Sequence, residues 1–153
     1  MKTTRLTFIL LLLFGLALAP AVRAHAAERV RLHAFLITAS QERDGKSDPR
    51  LADYEPTLRR LMRFESFEYQ GSDRGEIGPK ETVTLLVGQG HELTFEAGDN
   101  PRQLRVRWSA NIGKKNLINT GITFRRAGVP AVLGGPPTGR VAGEVYAVFI
   151  VAD

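Results

Sequence analysis

Residues 117–151, LINTGITFRRAGVPAVLGGPPTGRVAGEVYAVFIV, decide the fold of this chain. The last run of the stretch, residues 145–151, presents apolar or aromatic side chains to both faces of a strand. A strand of this kind lies inside a sheet that is covered on both sides. The stretch therefore predicts a central strand, and the remaining chain has to supply the covering layers.

A segment dense in glycine and proline precedes this strand. Gly134 and Gly135 are predicted to form a turn, because glycine adopts positive φ without a steric penalty. Pro136 and Pro137 follow, and proline cannot donate a hydrogen bond within a central strand. The segment is therefore predicted to be a turn followed by an extended connection.

Residues 1–26 have the three parts of a secretory signal peptide. A basic start precedes an unbroken apolar run at residues 6–19, and Ala24 and Ala26 are small residues at positions −3 and −1 for cleavage. The run is shorter than the roughly 20 residues that span a bilayer, and a proline ends it. We therefore expect Sec export to the periplasm or cell exterior, no later transmembrane span, and a single β-rich domain at residues 27–153.

Charge and cysteine content exclude several classes of protein. The whole chain has 21 Lys and Arg residues and 16 Asp and Glu residues; three of the cations lie in the signal peptide, which leaves 18. This near balance is not the basic signature of a nucleic-acid-binding protein. The chain has no cysteine, so disulfides, thiol catalysis and a lipid anchor on cysteine are excluded.

The exported part predicts a mainly β fold, an antiparallel β-sandwich-like sheet with one short N-terminal helical segment. It begins as a β-α-β unit and continues as a meander of strands. The other predicted strands are residues 30–38, 64–70, 82–87, 91–97, 103–109 and 117–125.

The helical segment is predicted over residues 49–63. Asp48 is its N-cap and proline occupies its first position. Pro56 lies inside the pattern, so the helix is expected to kink or restart near Glu55. The apolar side chains of the segment are Leu51, Tyr54, Leu58, Leu61 and Met62. Most of them fall on one stripe that faces the sheet.

The strand at residues 103–109 alternates apolar and polar residues, with Leu104, Val106 and Trp108 facing inward. Pairing with the next strand keeps the inward faces together. The predicted opposite pairs are Leu104 with Phe124, Val106 with Ile122, and Trp108 with Thr120.

Three arginines, Arg105, Arg107 and Arg125, share the outward face in this pairing. Because arginine makes bidentate contacts with anionic groups, the strip is a candidate site for an envelope protein or an anionic glycan or lipid. The alternative is an ordinary solvated face of a half-exposed sheet. Both interpretations stay open.

Catalytic and metal-binding motifs are absent from the sequence. The two histidines of the exported part, His33 and His91, lie far apart and are too few for a typical zinc site. Ser40, Ser66 and Ser109 are the candidate nucleophiles, and none lies in a GxSxG-type turn. We therefore expect a protein that is not an enzyme and that has no cofactor and no metal.

The order of elements at the C-terminus is distinctive. A strand containing TGITF at residues 120–124 precedes a short hydrophobic run that ends in Gly-Gly, then a loop and a final apolar strand. Residues 117–151 thereby resemble the C-terminal β-hairpin motif of outer-membrane secretins. The resemblance covers about a quarter of the chain and implies a similar hairpin and an envelope or secretion context. It implies no pore, because the chain is far too short for a pore-forming secretin.

These features support three hypotheses about function. The first is an exported, non-catalytic protein-interaction or structural module, an accessory of an envelope or secretion assembly. The second is a carbohydrate- or lipid-binding module that uses Trp108, Tyr54 or Tyr69 with the arginines. The third is a small secreted hydrolase, which requires a nucleophile, a base and oxyanion donors in one pocket.

Overall fold

The computed structural model describes residues 27–42, 47–111 and 113–153, so the predicted signal peptide lies outside the described residues. Within these ranges the chain forms eight strands, one α-helix and one turn of 3-10 helix. The strands are β1 Val30–Ser40, β2 Ser66–Ile77, β3 Thr82–Gly88, β4 His91–Ala97, β5 Gln103–Ala110, β6 Lys115–Thr123, β7 Ala131–Pro137 and β8 Val145–Ala152.

The strands form two antiparallel four-stranded sheets that pack face to face. Sheet A has the order β2-β1-β8-β7, and sheet B is the meander β3-β4-β5-β6. The larger hydrophobic core lies between the sheets, where Leu36, Phe95 and Trp108 are fully buried. The predicted mainly β, sandwich-like fold is confirmed.

Strand β8 lies inside sheet A between β1 and β7. Val148 and Ile150 point into the core between the sheets. Phe149 and Val151 point into a second core, which also contains Leu58 of the helix. The predicted central strand, covered on both faces, is confirmed.

The helical segment forms in two pieces. A 3-10 turn occupies Pro49–Leu51, where the Asp48 carboxylate accepts a hydrogen bond from the Arg50 backbone N–H. The α-helix α1 then spans Glu55–Met62, so the predicted restart near Glu55 is confirmed. Leu61 does not face the sheet, since 52% of its surface is exposed.

Strand β2 is longer than predicted and approaches the backbone of β3 closely at Gly71. It pairs with β1 from Ser66 to Ile77, with a register shift opposite Leu36. A Cβ at Gly71 would lie 2.9 Å from the carbonyl carbon of Val87, so only glycine lets the two backbones approach this closely. The prediction of a strand ending at residue 70 was wrong because β2 continues past the register shift to Ile77 and lies beside β3 of sheet B.

The Gly134-Gly135-Pro136-Pro137 segment is part of strand β7, so the prediction of a turn was wrong. Neither glycine has a positive φ. Strand β7 is an edge strand, and an edge tolerates prolines that a central strand excludes. A Cβ at Gly135 would clash with the Cη2 and Cζ3 atoms of the Trp108 ring, so the glycine makes room for the indole.

The predicted register between β5 and β6 was wrong by two residues. Leu104 pairs with Ile122, and Val106 pairs with Thr120. The inward and outward faces are as predicted, because a shift of two residues keeps the parity of a strand. A register shift between Trp108 and Ser109 accompanies the difference.

Candidate functional site

The edge strands β2 and β3, on one side of the sandwich, each have one backbone group bound by a residue outside their own sheet ladder. The backbone N–H of Asp48 donates to the Phe67 carbonyl on the outer edge of β2, at 3.0 Å. The Asp73 carboxylate accepts from the Leu86 N–H on the outer edge of β3, at 2.9 Å. Unpaired edge groups are a template for pairing with another chain, and each of these contacts occupies one such group on this side, which we call the closed side.

The opposite side is the β6/β7 flank, where the edge strands β6 and β7 lie next to each other. Within the described ranges, no further strand pairs with the outer edge of either one. Its apolar side chains are only half-buried; they are Leu117, Ile118, Ile122, Ala131 and Leu133.

On the closed side, Ile77, Leu85 and Val87 are at most 2% exposed, and Val83 is half-buried. The inter-sheet core is therefore less completely covered on the flank than on the closed side.

An apolar groove runs along β7 on the outer face of sheet A. Its volume is about 480 Å³, and its lining is Leu61, Met62, Phe64, Pro130, Val132 and Gly134. None of these side chains carries a charge. A Cβ at Gly134 would meet no atom within 4 Å, so the groove is open above that residue.

A second depression, the arginine depression, adjoins the groove at Pro130. It has a volume of about 450 Å³ and is lined by residues 123–126 and 129–131. Arg125 and Arg126 are both exposed, and the lining contains no acidic residue. An anionic group would meet two guanidinium groups here without a competing carboxylate.

The predicted arginine strip is distributed over two places. Arg105 and Arg107 are exposed on the outer face of β5, and neither forms an ion pair within 4.0 Å with another described residue. Glu96 lies directly opposite Arg105 in the ladder. Arg125 follows the end of β6 and lines the arginine depression with Arg126.

Trp108 is fully buried, so it cannot act as a surface platform for a sugar or lipid. Its Nε1 donates to Nδ1 of His91 at 2.9 Å, and the His91 ring also lies 4.7 Å from the ring of Tyr146. Burial lowers the pKa of His91 below its usual value. These contacts give His91 a structural role in the core.

The two tyrosines are half-buried. The Arg50 guanidinium lies 4.0 Å above the Tyr69 ring, which covers one face of that ring. Tyr54 packs on Phe149 and lines a depression of about 570 Å³. The charged and titratable groups lining that depression are Arg31, His33, Arg74, Glu76 and Asp153.

The candidate nucleophiles do not share a pocket with a histidine. Ser40 and Ser66 line a depression of about 170 Å³ together with three glutamates, and neither described histidine lines it. Ser109 donates its hydroxyl hydrogen to Asn116. In the described part of the chain, no three His, Asp or Glu side chains are grouped to hold a metal ion.

The sequence prediction missed the groove and the role of Arg126. Leu61 was assigned to the inward stripe of a helix, and the Gly-Gly-Pro-Pro segment was assigned to a turn. The available signal was the pair of prolines, because a strand that contains them has to lie at a sheet edge.

Comparison of the chain with protein-family models, curated proteins and solved structures gave no match. None of the helices formed by the described residues has the length and hydropathy needed to cross a bilayer. The geometry of the flank is therefore the basis for a functional assignment.

Proposed function

We propose that the chain is an exported, non-catalytic module that binds another protein through the β6/β7 flank. The proposal rests on the difference between the two sides of the sandwich. On one side, the backbone of Asp48 and the carboxylate of Asp73 each bind one group of a strand edge, and the apolar side chains beneath are nearly all buried. The other side leaves two edges and half-buried apolar side chains exposed, which is the usual character of an interaction site.

The flank also has the composition of a protein-binding surface. Leu61 and Val129 are 52% and 55% exposed, and the groove beside them is apolar throughout. The arginine depression supplies a charged border, and interfaces combine an apolar centre with a polar rim rich in arginine. Arg105 and Arg107 form a second candidate surface on the outer face of sheet B.

An envelope or secretion assembly is the proposed setting. The signal-peptide pattern of residues 1–26 and the secretin-like order of residues 117–151 support it. The partner in this setting is another protein of the assembly, and the module contributes binding without chemistry.

Site-specific photo-crosslinking in the native cell tests the proposal. A photoreactive residue replaces Leu61 in the groove or, as a matched control, Leu86, which is 59% exposed on sheet B. We expect a discrete adduct with another protein at position 61 and none at position 86. An adduct only at position 86 would assign binding to the face of Arg105 and Arg107, and the absence of adducts at both positions would overturn the proposal.

A glycan- or lipid-binding module is the second candidate, favoured by the depression beside Tyr54 with its two arginines. Tyr54→Leu should keep the packing on Phe149 and weaken binding to vesicles of phosphatidylglycerol, measured by co-sedimentation. Tyr69→Leu is the control, since Tyr69 does not line this depression. Equal sedimentation of both variants and the unmodified protein would remove this candidate.

A further inference from the structure

We propose that the outer edge of β7 binds an extended segment of another protein as an added antiparallel strand, with acidic residues of that segment at Arg125 and Arg126. The inference rests on the proposed function, because it specifies how the β6/β7 flank holds its protein partner. It also specifies the sequence character of the partner.

The backbone of β7 offers a defined length of edge. Alternate residues within 131–135 can expose peptide N–H and C=O groups to a neighbouring strand, because the others face β8, and Pro136 and Pro137 have no N–H to donate. Five residues of strand extend over about 17 Å. An added strand of about five residues therefore fits between the prolines and the arginine depression.

One face of the added strand would lie over the groove. Side chains alternate along β7, and Val132 and Gly134 line the groove. Residues of the added strand on that face would extend toward Leu61 and Phe64, and Gly134 leaves space above the strand. Apolar side chains match this uncharged lining.

The other face of the added strand would point toward sheet B. Ala131 and Leu133 pack on the inter-sheet core from β7, and Ile118 and Ile122 pack on it from β6. All four are half-buried. Apolar residues of an added strand would cover them and complete the core on this flank, so the segment needs apolar residues on both faces.

The direction of the added strand determines which of its ends lies at the arginine depression. Strand β7 begins at Ala131, beside Ile150, and ends at Pro137 beside Val145. The C-terminal end of an antiparallel neighbour therefore lies at Ala131, which lines the arginine depression. Carboxylates just after the apolar residues would reach Arg125 and Arg126.

The charges also indicate which chain supplies the added strand. We compare a segment of another protein with two segments of this chain, β7 of a second copy and residues 1–26. Residues 127–143, which contain β7, have no Asp or Glu, so β7 of a second copy brings no carboxylate. Residues 1–26 also contain no Asp or Glu. A segment from another protein is the occupant that complements the arginines.

Titration of the isotope-labelled protein with synthetic peptides tests the inference. The probe is acetyl-Ser-Val-Thr-Val-Ile-Val-Asp-Asp-amide, and the comparison peptides end in Lys-Lys or carry N-methyl groups on alternate residues. NMR shifts give the Kd, and amide hydrogen exchange reports protection of residues 131–135. We expect new protection of the alternate amides that face the outer edge, about fivefold tighter binding of the acidic peptide than the lysine peptide, and little binding of the N-methylated peptide.

Four variants make the result specific. Leu61→Glu should weaken binding, and Leu86→Glu on the distant face should not. Arg125→Ser with Arg126→Ser should remove the preference for the acidic peptide, while Arg105→Ser with Arg107→Ser should preserve it. The matched pairs separate an effect at the flank from a general effect of lost or added charge.

Three outcomes would overturn the inference. Binding without protection of residues 131–135 would exclude strand addition, and equal affinity for the acidic and lysine peptides would exclude the role of the arginines. Protection of β7 that rises with protein concentration in the absence of peptide would show self-pairing. If the crosslink at position 61 persisted in these cases, the protein-binding function would stand and only this mode of binding would fail.

Discussion

The indole Nε1 of Trp108 donates a hydrogen bond to Nδ1 of His91 at 2.9 Å, and both side chains are buried. The bond requires an unprotonated Nδ1, because a protonated imidazole has no acceptor atom. The folded state therefore holds His91 as the neutral form with its proton on Nε2. The bond gives a hydrogen-bond partner to Nε1, the one polar atom of the buried indole.

The first prediction is a loss of stability in mild acid. An unfolded histidine titrates near 6.5, and burial lowers the pKa of His91 in the folded protein. Because the unfolded chain then binds more protons below pH 6.5, the free energy of unfolding falls as the pH falls through this value. Trp108 fluorescence, as the only tryptophan signal, should show a lower Tm at about pH 5.5 than at about pH 7.5.

His91→Asn should flatten this dependence, since the amide oxygen can accept from the indole and does not titrate. His33 also has a lowered pKa, caused first by burial and then by Arg74. His33→Asn is therefore the companion variant, and it measures how much of the pH dependence of Tm comes from His33. An unchanged slope in His91→Asn would show that His91 is not the group responsible.

The second prediction concerns neighbouring glycines in β7. Gly135→Ala would place a methyl group against the Cη2 and Cζ3 atoms of the Trp108 ring and 2.9 Å from the Tyr146 carbonyl oxygen. We expect a loss of about 1–3 kcal/mol in the free energy of unfolding, measured with denaturant. Gly134→Ala is the matched control, since its methyl group meets no atom within 4 Å. Equal stability of the two variants would contradict the close contact with the indole.

The third prediction concerns Asp48. Its carboxylate caps the 3-10 turn and receives two side-chain hydrogen bonds from Arg50, which hold its pKa at about 2. Asp48→Ala should lower the free energy of unfolding by about 1 kcal/mol at neutral pH. The difference should persist above pH 3.8 and shrink as the pH falls through about 2, where the native carboxyl becomes protonated.

Thermal unfolding at several pH values measures this difference. Asp53→Asn provides the control, because Asp53 is exposed and no described residue forms an ion pair with it. A Tm difference for Asp48→Ala that does not change with pH would argue against the role of its charge.

The fourth prediction concerns the edge of β3. The Asp73 carboxylate accepts from the Leu86 N–H at 2.9 Å, so Asp73→Ala should leave this amide exposed. Hydrogen exchange at Leu86 should become faster, while Asp99→Ala, at an exposed loop, should leave it unchanged. Unaltered exchange in Asp73→Ala would show that another feature protects this edge.

Periodicity in the sequence was sufficient to predict most strands and their buried faces. Val106 and Trp108 point inward as their alternation indicates, and the terminal strand lies in the centre of sheet A. The helix restart at Glu55 was also predictable, because the effect of proline on a helix is local. These features depend on residues close together in the sequence.

The wrong predictions concern features that depend on contacts between residues far apart in the sequence. Gly71 and Gly135 have little propensity for strands, yet each lies in a strand because a backbone or ring from sheet B approaches it. The offset between β5 and β6 was not predictable from alternation, because a shift of two residues leaves the faces of both strands unchanged. The groove was not predictable for the same reason. It exists only because β7 is a strand at a sheet edge, and that position depends on long-range contacts.

The pairing of β1 with β8 joins residues more than a hundred positions apart, as in the contact of Thr38 with Tyr146. Strand β1 is therefore synthesised long before its central neighbour exists, and sheet A cannot close until β8 has emerged. Such non-local pairing slows folding. Under the export that we propose, this delay would leave the polypeptide unfolded during passage and would place the completion of the fold on the far side of the membrane.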